Sequence, residues 1–201
     1  EEYLLSRLAS SPDGSEIAVG HKHFRTYAAE SGVPRGEFAF PEFLSQLRYS
    51  PDGRFLAAAN VGDNHPATRG RLELFDAATG RGLWHAAAPQ PVEACAFSPA
   101  RPEIYWNGGG AVAGAVCDPH APLVSLPLPQ LQIRGLAATA GGIVCFGRES
   151  EGAVQQVEGA DLIFRKFRLI SLDNAGKLTK DIDLGIGAGV HALSPAGKLL
   201  A

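Results

Sequence analysis

Short apolar runs broken by small polar turns recur along the whole chain, and no stretch sustains a helical period. The clearest run is "LSQLRYS" (residues 44–50), which alternates apolar and polar positions and stops at Pro51-Asp52-Gly53. Proline presets the first turn dihedral and glycine accepts a positive φ, so Ser50-Pro51-Asp52-Gly53 predicts a hairpin. "RFLAAAN" (54–60) follows as a nearly unbroken apolar strand, the pattern of one buried on both faces. "RLELFDAATG" (71–80) places Leu72, Leu74 and Phe75 ahead of a polar turn, and "RGLWHAA" (81–87) makes a fourth strand.

The same order returns elsewhere. "LLSRLAS", "SEIAVG", "HFRTYAAESG" and "PRGEFAF" make a first unit; "PVEACAFS", "PEIYW", "AGAVCDP" and "PLVSLPL" make a third. A fourth runs "QIRGLAAT", "GIVCFG", "FRKFRLISLDNAGK" and "TKDIDLG". Ser-Pro turns mark the units at Ser11, Ser50, Ser98 and Ser194, with "ATAGG" (138–142) as a degenerate copy in the widest gap. The spacing is close to the ~40 to 50 residues of a propeller blade. One four-stranded unit cannot bury both of its faces, whereas units packed face to face around an axis can. The fold expected is therefore all-β, a β-propeller of four-stranded antiparallel blades. It has about four full blades (4–39, 43–88, 91–129 and 131–185) and part of a fifth (189–201).

"FDAATG" (75–80) followed by "VEACAFSPA" (92–100) resembles the WD-repeat and YVTN-type propeller families. The third strands end in Phe75-Asp76 and Leu172-Asp173 where WD blades usually have Trp-Asp, and no Gly-His pair precedes an inner strand. The Asp-His-Ser-Trp tetrad of such blades has no place here, which turns the resemblance toward a broader, bacterial-looking superfamily. The resemblance implies a repeat scaffold that binds a protein or peptide, and members usually close a ring of about six to eight blades. With no Met in the chain and a final "SPAGKLLA" that stops as a strand begins, a segment of a larger propeller is expected.

Composition narrows the function classes. The chain has 201 residues, 45% hydrophobic and 19% charged, enough for an ordinary core. Its 18 basic and 21 acidic residues are spread evenly, so no basic footprint for nucleic acid appears. No apolar run approaches the roughly 20 residues of a membrane span, and "EEYLLSRLAS" lacks the layout of a signal peptide. Cys95, Cys117 and Cys145 lack metal or redox spacing and read as buried free thiols, which points to a reducing compartment, the cytoplasm before the periplasm.

Candidate chemistry falls in two long connections between second and third strands, "VGDNHPATRG" (61–70) and "RESEGAVQQVEGAD" (148–161). Such loops on a rigid scaffold are where binding groups sit. They supply Asp63, Asn64, His65 and Arg69 from the first and Arg148, Glu149, Glu151 and Glu158 from the second as candidate partner-binding residues. His21 and His23 flank Lys22 in the equivalent connection of the first blade and point to opposite sides of an extended chain, which makes them poor joint ligands. "NGGG" (107–110) and "GIGAG" (185–189) read as turns, since neither a phosphate-cradling lysine nor a helix follows. No nucleophile elbow or HExxH helix is present, so no catalytic or metal residue is assigned and a non-catalytic scaffold is favoured. Neither a cofactor nor an oligomeric state is specified by these patterns. The rival is a lactonase-like or quinoprotein-like propeller enzyme using Asp63, His65, Glu149 or His191 around a channel; a periplasmic TolB-like propeller is a third reading. Trp84 and Trp106 fall on strands and are expected to pack between blades.

Overall fold

A computed structural model describes residues 7–21, 23–41, 43–60, 69–108, 110–128, 131–149, 153–157, 160–164 and 166–185, with backbone alone at 153–164. Within them, four sheets of four antiparallel strands follow one another along the chain. Blade 1 holds β1 (Arg7–Ser10), β2 (Glu16–Gly20), β3 (Phe24–Ala28) and β4 (Pro34–Phe38). Blade 2 holds β5 (Leu44–Tyr49), β6 (Phe55–Asn60), β7 (Gly70–Asp76) and β8 (Gly82–Ala88). Blade 3 holds β9 (Cys95–Phe97), β10 (Glu103–Asn107), β11 (Ala111–Val116) and β12 (Ala121–Pro127). Blade 4 is built from β13 (Leu131–Thr139), β14 (Gly142–Glu149), β17 (Phe167–Asp173) and β18 (Leu178–Gly185), with a separate hairpin of β15 (Ala153–Val157) and β16 (Ala160–Phe164) between β14 and β17. The first strands lie beside one another in turn, β1 by β5, β5 by β9 and β9 by β13.

The alternation of side chains along a strand explains why β6 reads as unbroken apolar sequence. Phe55, Ala57 and Ala59 face blade 3, where they pack with Leu72, Leu74, Ile104 and Trp106. Leu56 and Ala58 face blade 1, where they meet Phe24, Phe38, Leu47 and Phe75. β10 repeats the arrangement: Ile104 and Trp106 join the interface with blade 2, while Tyr105 joins Leu131, Ile143 and Cys145 against blade 4. Each core cluster is thus an interface between neighbouring blades, and the middle strands are what both sides share. Phe24 stacks on Phe38 at 4.6 Å, with Phe75 edge-on to both. Full burial of a side chain such as Phe24 contributes about 1.5 to 3 kcal/mol.

The tryptophans pack as expected. Trp106 is buried between blades 2 and 3, Trp84 lies against it at 6.1 Å, and the indole N–H of Trp84 donates to the Cys117 carbonyl across the interface (2.8 Å). All three cysteines are buried free thiols, and burial pushes Cys95 up to about 11 and Cys117 and Cys145 up to about 12.

Two expectations change. The connection read as the open loop 148–161 instead extends β14 to Glu149 and then forms the β15–β16 hairpin, paired from Ala153↔Phe164 to Val157↔Ala160. The stretch read as the strand "PVEACAFS" is a strand only at Cys95–Phe97. Its first residues bond to other partners: the Val92 N–H donates to the Asn60 carbonyl, and the N–H groups of Glu93 and Ala94 donate to Asn107 Oδ1 (3.0 and 2.7 Å). The partial fifth blade at 189–201 lies outside the described residues.

Candidate interaction surfaces

Antiparallel strands send alternate connections to opposite ends of the blades. One end carries the turns β1–β2, β5–β6 and β9–β10 and the returns β3–β4 and β7–β8; the other carries the long second-to-third connections and the links between blades.

At the loop-bearing end, the blade 2 to blade 3 link is clamped. Asn60 and Asn107 each end a second strand and are both buried. Asn60 Oδ1 accepts the Arg71 N–H, while Asn107 Oδ1 takes two N–H groups of the link. From β5, Ser45 Oγ donates to the Val92 carbonyl (2.6 Å) and Gln46 Nε2 to the Glu93 carbonyl (2.9 Å). These four polar residues were not singled out from the sequence. The available signal was an asparagine closing each of the apolar runs "FLAAAN" and "EIYWN".

Of the residues expected to bind a partner, Arg69 is exposed just ahead of β7, and Arg148 and Glu149 close β14. Arg148 Nη2 donates to Gln132 Oε1 (2.8 Å), and Glu149 accepts from Arg168 Nη1 (3.2 Å). Arg168 also holds Asp181, while Lys166 pairs with Asp183 (2.6 Å) and Arg134 with Glu93 (2.6 Å). The Asp181 carboxylate, with Glu149 behind it, keeps the Arg168 guanidinium more firmly protonated, and Lys166 holds Asp183 below the usual carboxylate range. These are part-exposed pairs of opposite sign that fix side chains more than they stabilise the fold. Asp63, Asn64, His65, Glu151 and Glu158 lie outside the described residues, as does His191. His21 packs edge-on against Phe43 (4.6 Å) and His23 is exposed. Among the described residues, no three His, Cys, Asp or Glu side chains are grouped closely enough to hold a metal ion.

At the turn end, the repeated tetrapeptide is a local hydrogen-bond device. Ser11 Oγ donates to Asp13 Oδ1 (2.6 Å) and accepts the Glu16 N–H (2.9 Å); Ser50 Oγ donates to Asp52 Oδ1 (2.6 Å) and accepts the Phe55 N–H (2.9 Å). Gly14 and Gly53 sit at φ 71° and 73°, as the turn requires. The Ser11 hydroxyl, with help from Ser15, holds Asp13 down at about 2. In blade 4, Thr139 takes the place of serine: its Oγ1 accepts the Gly141 N–H (3.2 Å) and donates to the Gly142 carbonyl (3.1 Å).

Among the described residues, concavities open at this same end. One of about 1030 Å³ runs between blades 1 and 2 among Asp13, Glu16, Glu37, Asp52 and Thr79. A second of about 290 Å³ lies between the turns of blades 2 and 3, and a third of about 360 Å³ opens among the first strands, between Pro12, Tyr49, Phe97 and Ala137.

No family model matches the chain, and no curated protein matches it. Solved structures do. Hydrazine synthase of Kuenenia stuttgartiensis superposes with a TM-score of 0.71 at 16% identity, over 96% of this chain and 53% of that one. The Cps50 (Swd1) β-propeller domain of Myceliophteria thermophila gives 0.71 at 13% identity, over 96% and 59%. The RRP9 WD40 repeats give 0.59 at 13% identity, over 100% and 87%. The fold is that of β-propeller blades. At such identities the likeness concerns the fold alone, and the chain spans somewhat more than half the length of the first two proteins. No helix among the described residues is long and apolar enough to cross a membrane.

Proposed function

We propose that the chain is a non-catalytic, WD40-like scaffold segment that binds a protein or peptide through its loop-bearing end. The observation that carries this reading is the β15–β16 hairpin, which pairs with no blade strand and extends a connection that a blade needs only to reverse direction. An extension of this kind on a rigid sheet array is a recognition element in the same sense as a loop on a barrel. The clamp supports it, because the side chains of Ser45, Gln46 and Asn107 and the Asn60 carbonyl fix the blade 2 to blade 3 link at the same end. Similarity in fold to the WD40 repeats of RRP9 is in keeping with a repeat scaffold. The three free thiols favour a reducing compartment, in keeping with a cytoplasmic location.

The hairpin closes at its base, where the Glu149 N–H donates to the Lys166 carbonyl (2.9 Å), so it can be excised there without opening the blade. Replacing 150–165 by a short Gly-Ser turn and deleting 62–68 should abolish capture of a specific partner, identified by mass spectrometry, while leaving the thermal transition in place. Undiminished capture by this variant contradicts the proposed surface.

A further inference from the structure

We propose that the groove between blades 1 and 2 at the turn end is a second recognition site, one that takes an arginine or lysine side chain of a peptide segment. Four carboxylates line it, Asp13, Glu16, Glu37 and Asp52, against one lining cation, the exposed Arg35. Glu37 is bound to Arg25 (3.0 Å). Among the described residues the other three accept from neutral groups: Asp13 from Ser11 and Ser15, Glu16 from the Tyr49 hydroxyl (2.9 Å), and Asp52 from Ser50 Oγ and the Arg54 N–H. Such bonds hold the carboxylates in place and leave their charge uncompensated. Three fixed negative charges around a concavity raise the local concentration of cations and favour a positively charged guest.

A second, independent feature marks the groove as more than an acidic surface. Thr26, only 1% exposed, lines it from β3, and its hydroxyl has no protein partner among the described residues. The register sets Thr26 opposite Gly36, where an added Cβ would come within 3.1 Å of Thr26 Oγ1; the glycine leaves the hydroxyl uncovered. The hydroxyl faces the groove with a hydrogen-bonding capacity that no described protein group uses, and a donor on a guest can take it up. Phe38 and Tyr49 contribute carbon to the walls, suited to the methylene stem of a long cationic side chain. The volume of about 1030 Å³ suits a segment of chain, and the carboxylates are too dispersed to converge on a metal ion.

The inference shares with the proposed function the class of partner, a peptide, but not the surface. Its test is fluorescence anisotropy with a labelled, end-blocked peptide of alternating arginine and glycine, and with its glutamate counterpart, titrated with the intact chain. The arginine peptide should bind and weaken steeply with salt, while the glutamate peptide should not bind. The pair E16Q and D52N keeps side-chain acceptors for Tyr49 and Ser50 and should raise Kd about tenfold, the scale of one charge-assisted contact. T26V, equal in shape, should raise it several-fold, and D183N, whose side chain pairs with Lys166 at the opposite end, should leave it unchanged. Circular dichroism melts confirm that each variant is folded. No binding by the wild-type chain, an unchanged Kd in E16Q/D52N or in T26V, or an equal loss in D183N overturns the site. Loss here with capture retained at the loop-bearing end separates this inference from the proposed function.

Discussion

The two ends of the blades solve the same problem, reversing a strand, by different chemistry. At the turn end a four-residue motif is closed by its own side chains: Ser50 and Asp52 bond to each other and to N–H groups within five residues. At the loop-bearing end the corresponding bonds join residues 13 to 47 positions apart: the N–H groups of Glu93 and Ala94 donate to Asn107, and Ser45 donates to Val92. Repetition therefore marks the end whose bonds are local. It does not mark the end without cavities, since the concavities described lie between copies of the repeated turn. A repeated turn can be structural within each blade and still form, with its neighbours, a surface that no single copy possesses.

Both ends hang from the interblade core, so the largest effect should come from breaking it. Phe24→Ala, at a site with no exposure and in contact with Phe38 and Phe75, should cost about 4 kcal/mol and shift the urea midpoint of the whole transition. A change limited to blade 1 would separate the ends and break the comparison. Asn107→Ala leaves the N–H groups of Glu93 and Ala94 without their acceptor and should cost about 2 to 3 kcal/mol, whereas Ser50→Ala should cost about 1 kcal/mol because its bonds are local. Equal losses in equilibrium unfolding would erase the distinction between local and spanning bonds. Gly53→Ala should cost about 1 kcal/mol through its positive φ alone, since an added Cβ meets nothing nearer than Pro12 Cδ at 3.6 Å.

The smallest effect is a pH dependence. The hydroxyl bonds of Ser11 and Ser15 lower the folded Asp13 carboxyl from 3.8 to about 2. A depressed folded value means that the stabilisation is present above about pH 4 and is lost as pH falls toward 2. Asp13→Asn removes the contribution present above about pH 4, so the variant should be less stable than wild type at neutral pH and converge with it as pH falls toward 2, which flattens the acid limb. A difference from wild type that appears only above pH 6 would point to another group.

What was legible in the sequence was whatever neighbouring residues decide. The turns at Asp13 and Asp52, the two-sided burial of "FLAAAN" and the packing of Trp84 and Trp106 all follow from local pattern. The β15–β16 hairpin was hidden because glycine and glutamate flank "AVQQV", giving the whole stretch the composition of a loop. The shortened β9 was hidden because its missing ladder bonds go to Asn60 and Asn107, 13 or more residues away for Asn107. The cationic-side-chain groove draws Asp13, Glu37, Asp52 and Thr79 from four separate connections or strands, and only the stacking of blades brings them together. Of the residues chosen for the loop-bearing end, Arg69, Arg148 and Glu149 are placed there, and the latter two are already engaged by Gln132 and Arg168.

The central claim is that partners are read by the ends of the blades, with the sheets as a static frame. Hydrogen–deuterium exchange on the free chain and on its complex with the captured partner tests this most directly. The account predicts new protection in 61–69 and 150–166, with β6, β10 and β14 already slow and unchanged. Protection gained instead along the outer strands β4, β8, β12 and β18, with the connections unaltered, would contradict it.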